Sequence, residues 1–162
     1  MKKLILGILV VGSFSGVMAD SDYKKYYSTE KLSKYSSLYK EECAACHMGY
    51  QAKFLPAKNW TKLMNNLENH FGVDATFDKM DEQKVLEYLK ANSSKRRYIN
   101  EDIIQITKLP FFKKEHRKIP SRFIKQKEVR SLSNCKACHT KADIGSYRER
   151  DINIPNYGRW DD

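Results

Sequence analysis

Two five-residue stretches constrain everything else this chain can be: Cys43-Ala44-Ala45-Cys46-His47 and Cys135-Lys136-Ala137-Cys138-His139. Two cysteines three residues apart, on roughly one turn of helix, can reach the two vinyl groups of one porphyrin and form thioethers. The histidine that follows immediately then lies under the iron as its proximal ligand. The chain has four cysteines, and the two motifs use all of them. It has four histidines, and the motifs use two, leaving His70 and His116. Two irons need two distal ligands, and two histidines remain. Their placement is even: His70 lies 23 residues after His47, and His116 lies 23 residues before His139.

The residues therefore read as two covalently attached c-type haems. Cys43, Cys46, Cys135 and Cys138 supply the thioethers, His47 and His139 are the proximal ligands, and His70 and His116 are the distal ones. No histidine follows His139, so the second iron must find its distal ligand upstream. The simplest pairing joins His47 with His70 and His116 with His139. A crossed pairing, with His116 at the first haem, is the other arrangement the counts allow. Rival uses of paired cysteines fit less well. A four-thiolate zinc site leaves the two adjoining histidines as coincidence, and disulfides do not need the C-x-x-C-H pattern twice.

The N-terminus reads as an export signal. Lys2 and Lys3 precede an apolar run from Leu4 to Val17, and Val17-Met18-Ala19 has the small residues expected before a cut, so residues 1–19 are the signal peptide. The run has 14 residues, short of the about 20 needed to span a bilayer. Export to the periplasm suits the thioether chemistry, which is carried out beyond the bacterial cytoplasm, and no transmembrane segment is expected in the mature chain. The remainder divides at the polar connector Asn92-Ser93-Ser94-Lys95-Arg96-Arg97 into halves 20–92 and 93–162, one motif in each, packing as one unit.

Lys and Arg number 30 against 20 Asp and Glu, a net +10, or +8 once Lys2 and Lys3 are removed. Four haem propionates would lower this to about +4. A basic surface near a haem edge steers acidic proteins or binds anionic membranes. Nucleic acid is a poor fit for an exported chain whose charges read as scattered. Apolar residues make up 41% and the mean hydropathy is −0.69, so the core is thin without the porphyrins and folding is coupled to their attachment.

The periodicity is mainly α. Leu32, Tyr35, Leu38 and Tyr39 predict a helix delivering Cys43. Trp60, Leu63, Met64, Leu67, His70 and Phe71 fall on one helical face, with Asn59 as N-cap and Gly72 as C-cap. A third helix from Asp78 or Asp81 to Ala91 carries Val85, Leu86, Tyr88 and Leu89. Asn100 is placed to cap a short helix holding Ile103, Ile104 and Ile106. Pro110 opens another, on which Phe112 and His116 share a face. Phe123 to Ser133 reads as the helix entering the second motif, and Ile152 to Pro155 as extended chain. Tyr157 to Asp162 give no firm reading.

At these residues the chain resembles the small bacterial dihaem cytochromes c, the DHC family. The shared features are Leu55-Pro56, Trp60, Leu63-Met64 and His70-Phe71-Gly72, then Pro110, Phe112 and His116-Arg117. They continue with Asn134-Cys135, Cys138-His139, Ala142, Gly145 and Ile154-Pro155, so the likeness runs from about Glu42 to Pro155. The resemblance implies a small, mostly helical periplasmic protein with long loops wrapped around two bis-histidine haems. It also implies redox partners: a membrane b-type cytochrome, and sometimes a small oxygen-binding monohaem cytochrome.

Function follows from the ligands. Two protein nitrogens on each iron leave no open position, and histidine in place of methionine lowers the potential. The expectation is an electron carrier and not an enzyme, passing electrons from a membrane b-type cytochrome or quinol-linked donor to a soluble acceptor. The rivals are a dihaem peroxidase or haem reductase, in which Met64 or Met80 holds one iron, and a gas or redox sensor with a displaceable histidine.

Overall fold

Residues 36–95 and 99–160 are described by a computed structural model of the chain. The expected signal peptide, the helix start at Leu32 and Tyr35, and Arg96 and Arg97 of the connector lie outside them. Five α-helices carry the architecture among the described residues: α1 (Ser36–Cys43), α2 (Ala57–Met64), α3 (Lys79–Ala91), α4 (Pro110–His116) and α5 (Ser121–Ile124). Short 3-10 turns fill the connections. Near the C-terminal end β1 (Asn153–Ile154) pairs antiparallel with β2 (Gly158–Arg159), Asn153 opposite Arg159 and Ile154 opposite Gly158. No described helix is long and apolar enough to cross a membrane.

The core forms where α2 and α1 both pack on α3. Trp60 and Met64 from α2, Val85, Tyr88 and Leu89 from α3, and Tyr39 from α1 are all buried there. Leu109 and Phe112 at the start of α4, with Ile99 and Ile106, belong to the same cluster, so one core runs across both halves. Ser93 is buried and the Ser94 amide donates to Leu55 O, which ties residues 93–94 of the connector to the first half. Phe123, Val129, Ala142 and Ile154 are buried outside that cluster.

The α3 start follows its sequence signal: Asp78 is the N-cap, its carboxylate accepting from the amides of Met80 and Asp81. Pro110 opens α4 at a position where no amide donor is required. Three expected helices are shorter than their apolar spacing implied. The Trp60–Phe71 helix stops at Met64, and Leu67–Asn69 is a 3-10 turn. Asn65 and Asn66 follow Met64, and the Asn66 side chain donates to Asn69 O, a local alternative to helical pairing. Asn59 is not a cap; it is buried inside α2, its amide group donating to Asn100 O and Ile103 O. Asn100 makes a turn with the Asp102 amide, and only Ile106–Lys108 winds after it, as a 3-10 turn.

The helix expected from Phe123 to Ser133 is confined to Ser121–Ile124. Arg130 has φ 63°, and the Asn134 side chain donates to Glu128 O and Val129 O, closing a compact loop ahead of the second motif. Here too, side chains able to bond the backbone outcompete the apolar period.

Candidate haem sites

Each motif is presented by different means. α1 ends at Cys43, and the Ala44 amide still donates to Lys40 O, so the first motif leaves the helix on a turn. The second is a free-standing 3-10 turn, Cys135–Ala137, in which the His139 amide donates to Cys135 O at 2.8 Å. That turn is stapled from outside: Asn153 N donates to Cys138 O, and His139 bridges Ile152.

The four histidines come together in two pairs. The His47 and His70 rings lie 6.1 Å apart, centre to centre, with planes 14° from parallel. The His116 and His139 rings lie 6.1 Å apart with planes at 68°. Of the two pairings open from sequence, the uncrossed one is the arrangement in space. The distance has a chemical meaning. Two metal–nitrogen bonds of about 2.0 Å, plus about 1.1 Å from each ring nitrogen to its ring centre, place trans imidazoles about 6.2 Å apart.

Ring orientation is prepared by the backbone. His47 Nδ1 lies 2.7 Å from Met48 O and His116 Nδ1 lies 2.8 Å from Phe112 O. A carbonyl only accepts, so Nδ1 donates in both and Nε2 keeps its lone pair for a metal. Phe112 also stacks on His116 at 3.9 Å and 12°, as their four-residue spacing implied. Burial, with His116 adding to it, holds His139 down to about 4, and burial followed by His47 lowers His70. Neutral imidazole is the form that binds metals. His139 Nδ1 is buried with no hydrogen-bond partner.

Cys43, Cys135 and Cys138 are held as thiols. Burial pushes Cys43 up to about 12, with Glu42 adding, and Cys135 up to about 11; burial also raises Cys138. All four cysteines are free. Among the described residues no three Cys, His, Asp or Glu side chains gather as a metal cluster, so a four-thiolate zinc site has no geometry to stand on.

A cavity of about 990 Å³ adjoins the second motif, lined by Cys135, Cys138, His139, His116 and mainly apolar side chains such as Ile119, Phe123 and Ile154. Ligand pockets seldom exceed about 1,000 Å³. Beside His70 lies a smaller void of about 340 Å³, bordered by Leu63, Phe71, Gly72 and Ile104. Two thiols, an adjoining histidine and a second imidazole at metal-spanning distance suit a c-type haem at each motif, and the large apolar cavity suits its macrocycle at the second.

Sequence reasoning missed the aromatic residues that join the two sites. Tyr50, three residues after His47, lies 5.1 Å from the His47 ring and donates its hydroxyl to Ser133 O, two residues before Cys135. Tyr39 in turn donates to Tyr50 O. Tyr147 lies 5.3 Å from His139 and 5.2 Å from Phe54. Nothing in the spacing of these tyrosines separates them from the others in the chain. The C-terminal residues without a firm reading also have a place: Tyr157 and Trp160 pack on Phe123.

Residues 39–147 match the family described as dihaem cytochrome c. Among solved structures, the chain is similar to a diheme cytochrome type c from Shewanella baltica OS155, at 36% identity and TM-score 0.69 over 83% of this chain and 98% of that one. It is also similar to DHC purified from Rhodobacter sphaeroides, at 41% identity and TM-score 0.62 over 68% and 96%. A second diheme cytochrome c structure from Rhodobacter sphaeroides matches at 39% identity and TM-score 0.63 over 68% and 95%. No curated protein matches.

Proposed function

This chain belongs to the dihaem cytochrome c family, a haem-based electron-transfer protein with two c-type haems, and we propose that it is a periplasmic carrier in which both haems are bis-histidine and low-spin. The haems supply one-electron chemistry. The chain supplies everything else. Cys43 with Cys46, and Cys135 with Cys138, anchor the two groups. His47 and His139 are proximal ligands, and His70 and His116 are distal ones.

The observation that carries this reading is the repeated 6.1 Å ring separation, found once for each motif. An imidazole on both sides of an iron leaves no position for a substrate, so the chemistry is confined to electron exchange. The methionine-ligated enzyme rival finds little support. Met64 is buried in the core, Met80 is 67% exposed, and neither borders the cavity or the void.

Residues 1–19 have the composition of an export signal, which supports a periplasmic location. The donor in this reading is a membrane b-type cytochrome or a quinol-linked protein, and the acceptor is soluble, in some cases a small oxygen-binding monohaem cytochrome. Likeness to the family supports those partners. The test is an optical and EPR spectrum of the matured holoprotein, oxidised and reduced, with and without CO. Two low-spin haems and no CO shift are expected. A high-spin or CO-sensitive haem would mean an open iron, and catalysis or sensing would replace the carrier.

A further inference from the structure

Treating the basic residues as scattered does not survive their placement on the fold. Residues 108–130 contain nine Lys and Arg against Glu115 and Glu128, a net +7 out of the chain's +10. The stretch around His70, residues 65–82, has five Asp and Glu against Lys79 alone, a net −4. The two distal segments thus carry opposite charge.

They also differ in how that charge is compensated. Around His70 the charges are largely used locally: Asp74 accepts from Thr76, Asp78 caps α3, Glu82 pairs with Lys79 and Asp81 with Lys84. In 108–130, Lys108, Lys113, Lys114, Lys125 and Lys127 are all exposed, and none has a carboxylate partner among the described residues. The same segment is a wall of the large cavity. Phe112, His116, Ile119, Phe123 and Val129 line its inner side, so the unpaired lysines stand on the outside of a single thickness of chain.

Resting on the carrier reading, we propose that the outer face of residues 108–130 is the docking surface for an acidic redox protein, which exchanges electrons with the haem held by His116 and His139. Unpaired like charges raise self-repulsion in the free protein and are relieved by an anionic partner. Such a surface accelerates encounter and gives a small, salt-sensitive interface, the kind used by transient redox pairs. Among the described residues, the exposed large apolar ones, Phe71, Val73, Met80, Ile144 and Tyr157, all lie outside this segment. The face offers charge without side chains to bury in lipid, which favours a protein over a membrane.

The experiment uses reduced holoprotein mixed in stopped flow with oxidised plastocyanin, a small acidic copper protein, across a salt series. The second-order rate should fall about tenfold as salt rises to a physiological level. Combining Lys113→Gln, Lys114→Gln, Lys125→Gln and Lys127→Gln should slow the low-salt rate by about tenfold and flatten the salt slope. Lys58→Gln with Lys62→Gln, which removes lysines already paired with Glu101 and Asp102, should leave both nearly unchanged. NMR shifts on plastocyanin addition should map to 108–130. A fourfold variant with native haem spectra, native rate and native salt slope overturns the docking surface while the carrier reading stands. Phosphatidylglycerol vesicles that bind the holoprotein through these lysines, with plastocyanin rates unaffected, overturn it in favour of a membrane. Failure to pass electrons even to ferricyanide overturns the carrier reading and the surface with it.

Discussion

His70 and His116, the distal ligands of the proposed reading, lie the same 6.1 Å from His47 and His139 by opposite constructions. His116 ends a helix, is stacked by Phe112 and has its Nδ1 bonded to the carbonyl one turn back. His70 lies between a 3-10 turn and a tight reversal, in which its amide and Val73 O close a bridge at 2.8 Å. The two residues after it, Phe71 and Gly72, have φ of 55° and 95°, and Phe71 is 55% exposed. Local rigidity is therefore concentrated at the second site. Imidazole placement at the first depends on a loop in which Phe71 holds a positive φ against its usual preference, beside a positive φ that glycine adopts freely at Gly72.

The largest effects should come from removing the rings. His116→Ala and His70→Ala should each convert one haem from low-spin to high-spin or CO-binding, read by optical and EPR spectra. The comparison sharpens when the empty position is offered free imidazole. The His70→Ala site, close to exposed residues, should refill faster than the His116→Ala site behind its apolar wall. Equal refilling rates would break the distinction between an open site and a closed one.

Next come the supports. Phe112→Ala removes a buried ring that both packs in the core and stacks on His116, a loss of about 3–5 kcal/mol in denaturant unfolding. CO binding should appear at the second haem. Gly72→Ala meets no neighbour within 4 Å, so only its positive φ opposes the change. About 1 kcal/mol is expected, with any new CO sensitivity confined to the first haem.

What could be read in the sequence was chemistry at fixed short spacing. Cys43 to His47, Cys135 to His139, the Asp78 cap, Pro110 and the Phe112–His116 pair each depend on residues within one turn of one another. Pairing His47 with His70 instead of His116 is a tertiary outcome, and counting ligands left it open. The helix expected through Phe71 was wrong because apolar spacing says nothing about Asn66, whose side chain competes for the backbone by bonding Asn69 O. The missing helix before Cys135 has the same origin in Asn134 and Arg130. The Tyr50–Ser133 bond joins residues 83 apart and leaves no local trace. The charge of 108–130 can be counted in the sequence, where it read as scattered; it acquires meaning once Ile119 and Phe123 are seen to line a cavity behind it.

A smaller effect distinguishes the ring planes. With iron held between them, imidazoles at 14° would interact with the same metal orbital and split the paired orbitals strongly. At 68° they would interact with nearly perpendicular ones, and the splitting would shrink. Two resolved low-spin EPR signals are expected, the broader spread of g values belonging to the second haem, since axial geometry sets the electronic state. His70→Ala should remove the other signal first. A single coincident signal for both haems would mean that the planes become alike when iron is bound.

The smallest effect concerns lysines near the two sites. Lys62 precedes Leu63, which borders the void beside His70, and it holds Asp102 at 2.6 Å. The hydrogen bond and then the charge of Lys62 keep the Asp102 carboxyl below its ordinary range. A depressed carboxylate pKa stabilises the fold above the unfolded value and loses that contribution as pH falls through the folded one. Lys62→Ala should therefore raise the Asp102 titration midpoint in NMR while leaving the melting temperature at neutral pH nearly unmoved, because both side chains are exposed and screened. Lys113→Ala, with no carboxylate to release, should move no carboxylate midpoint at all. Were both variants to shift the same set of carboxylates, the lysines of 108–130 would be paired like those of α2, and the contrast between a compensated site and an uncompensated one would disappear.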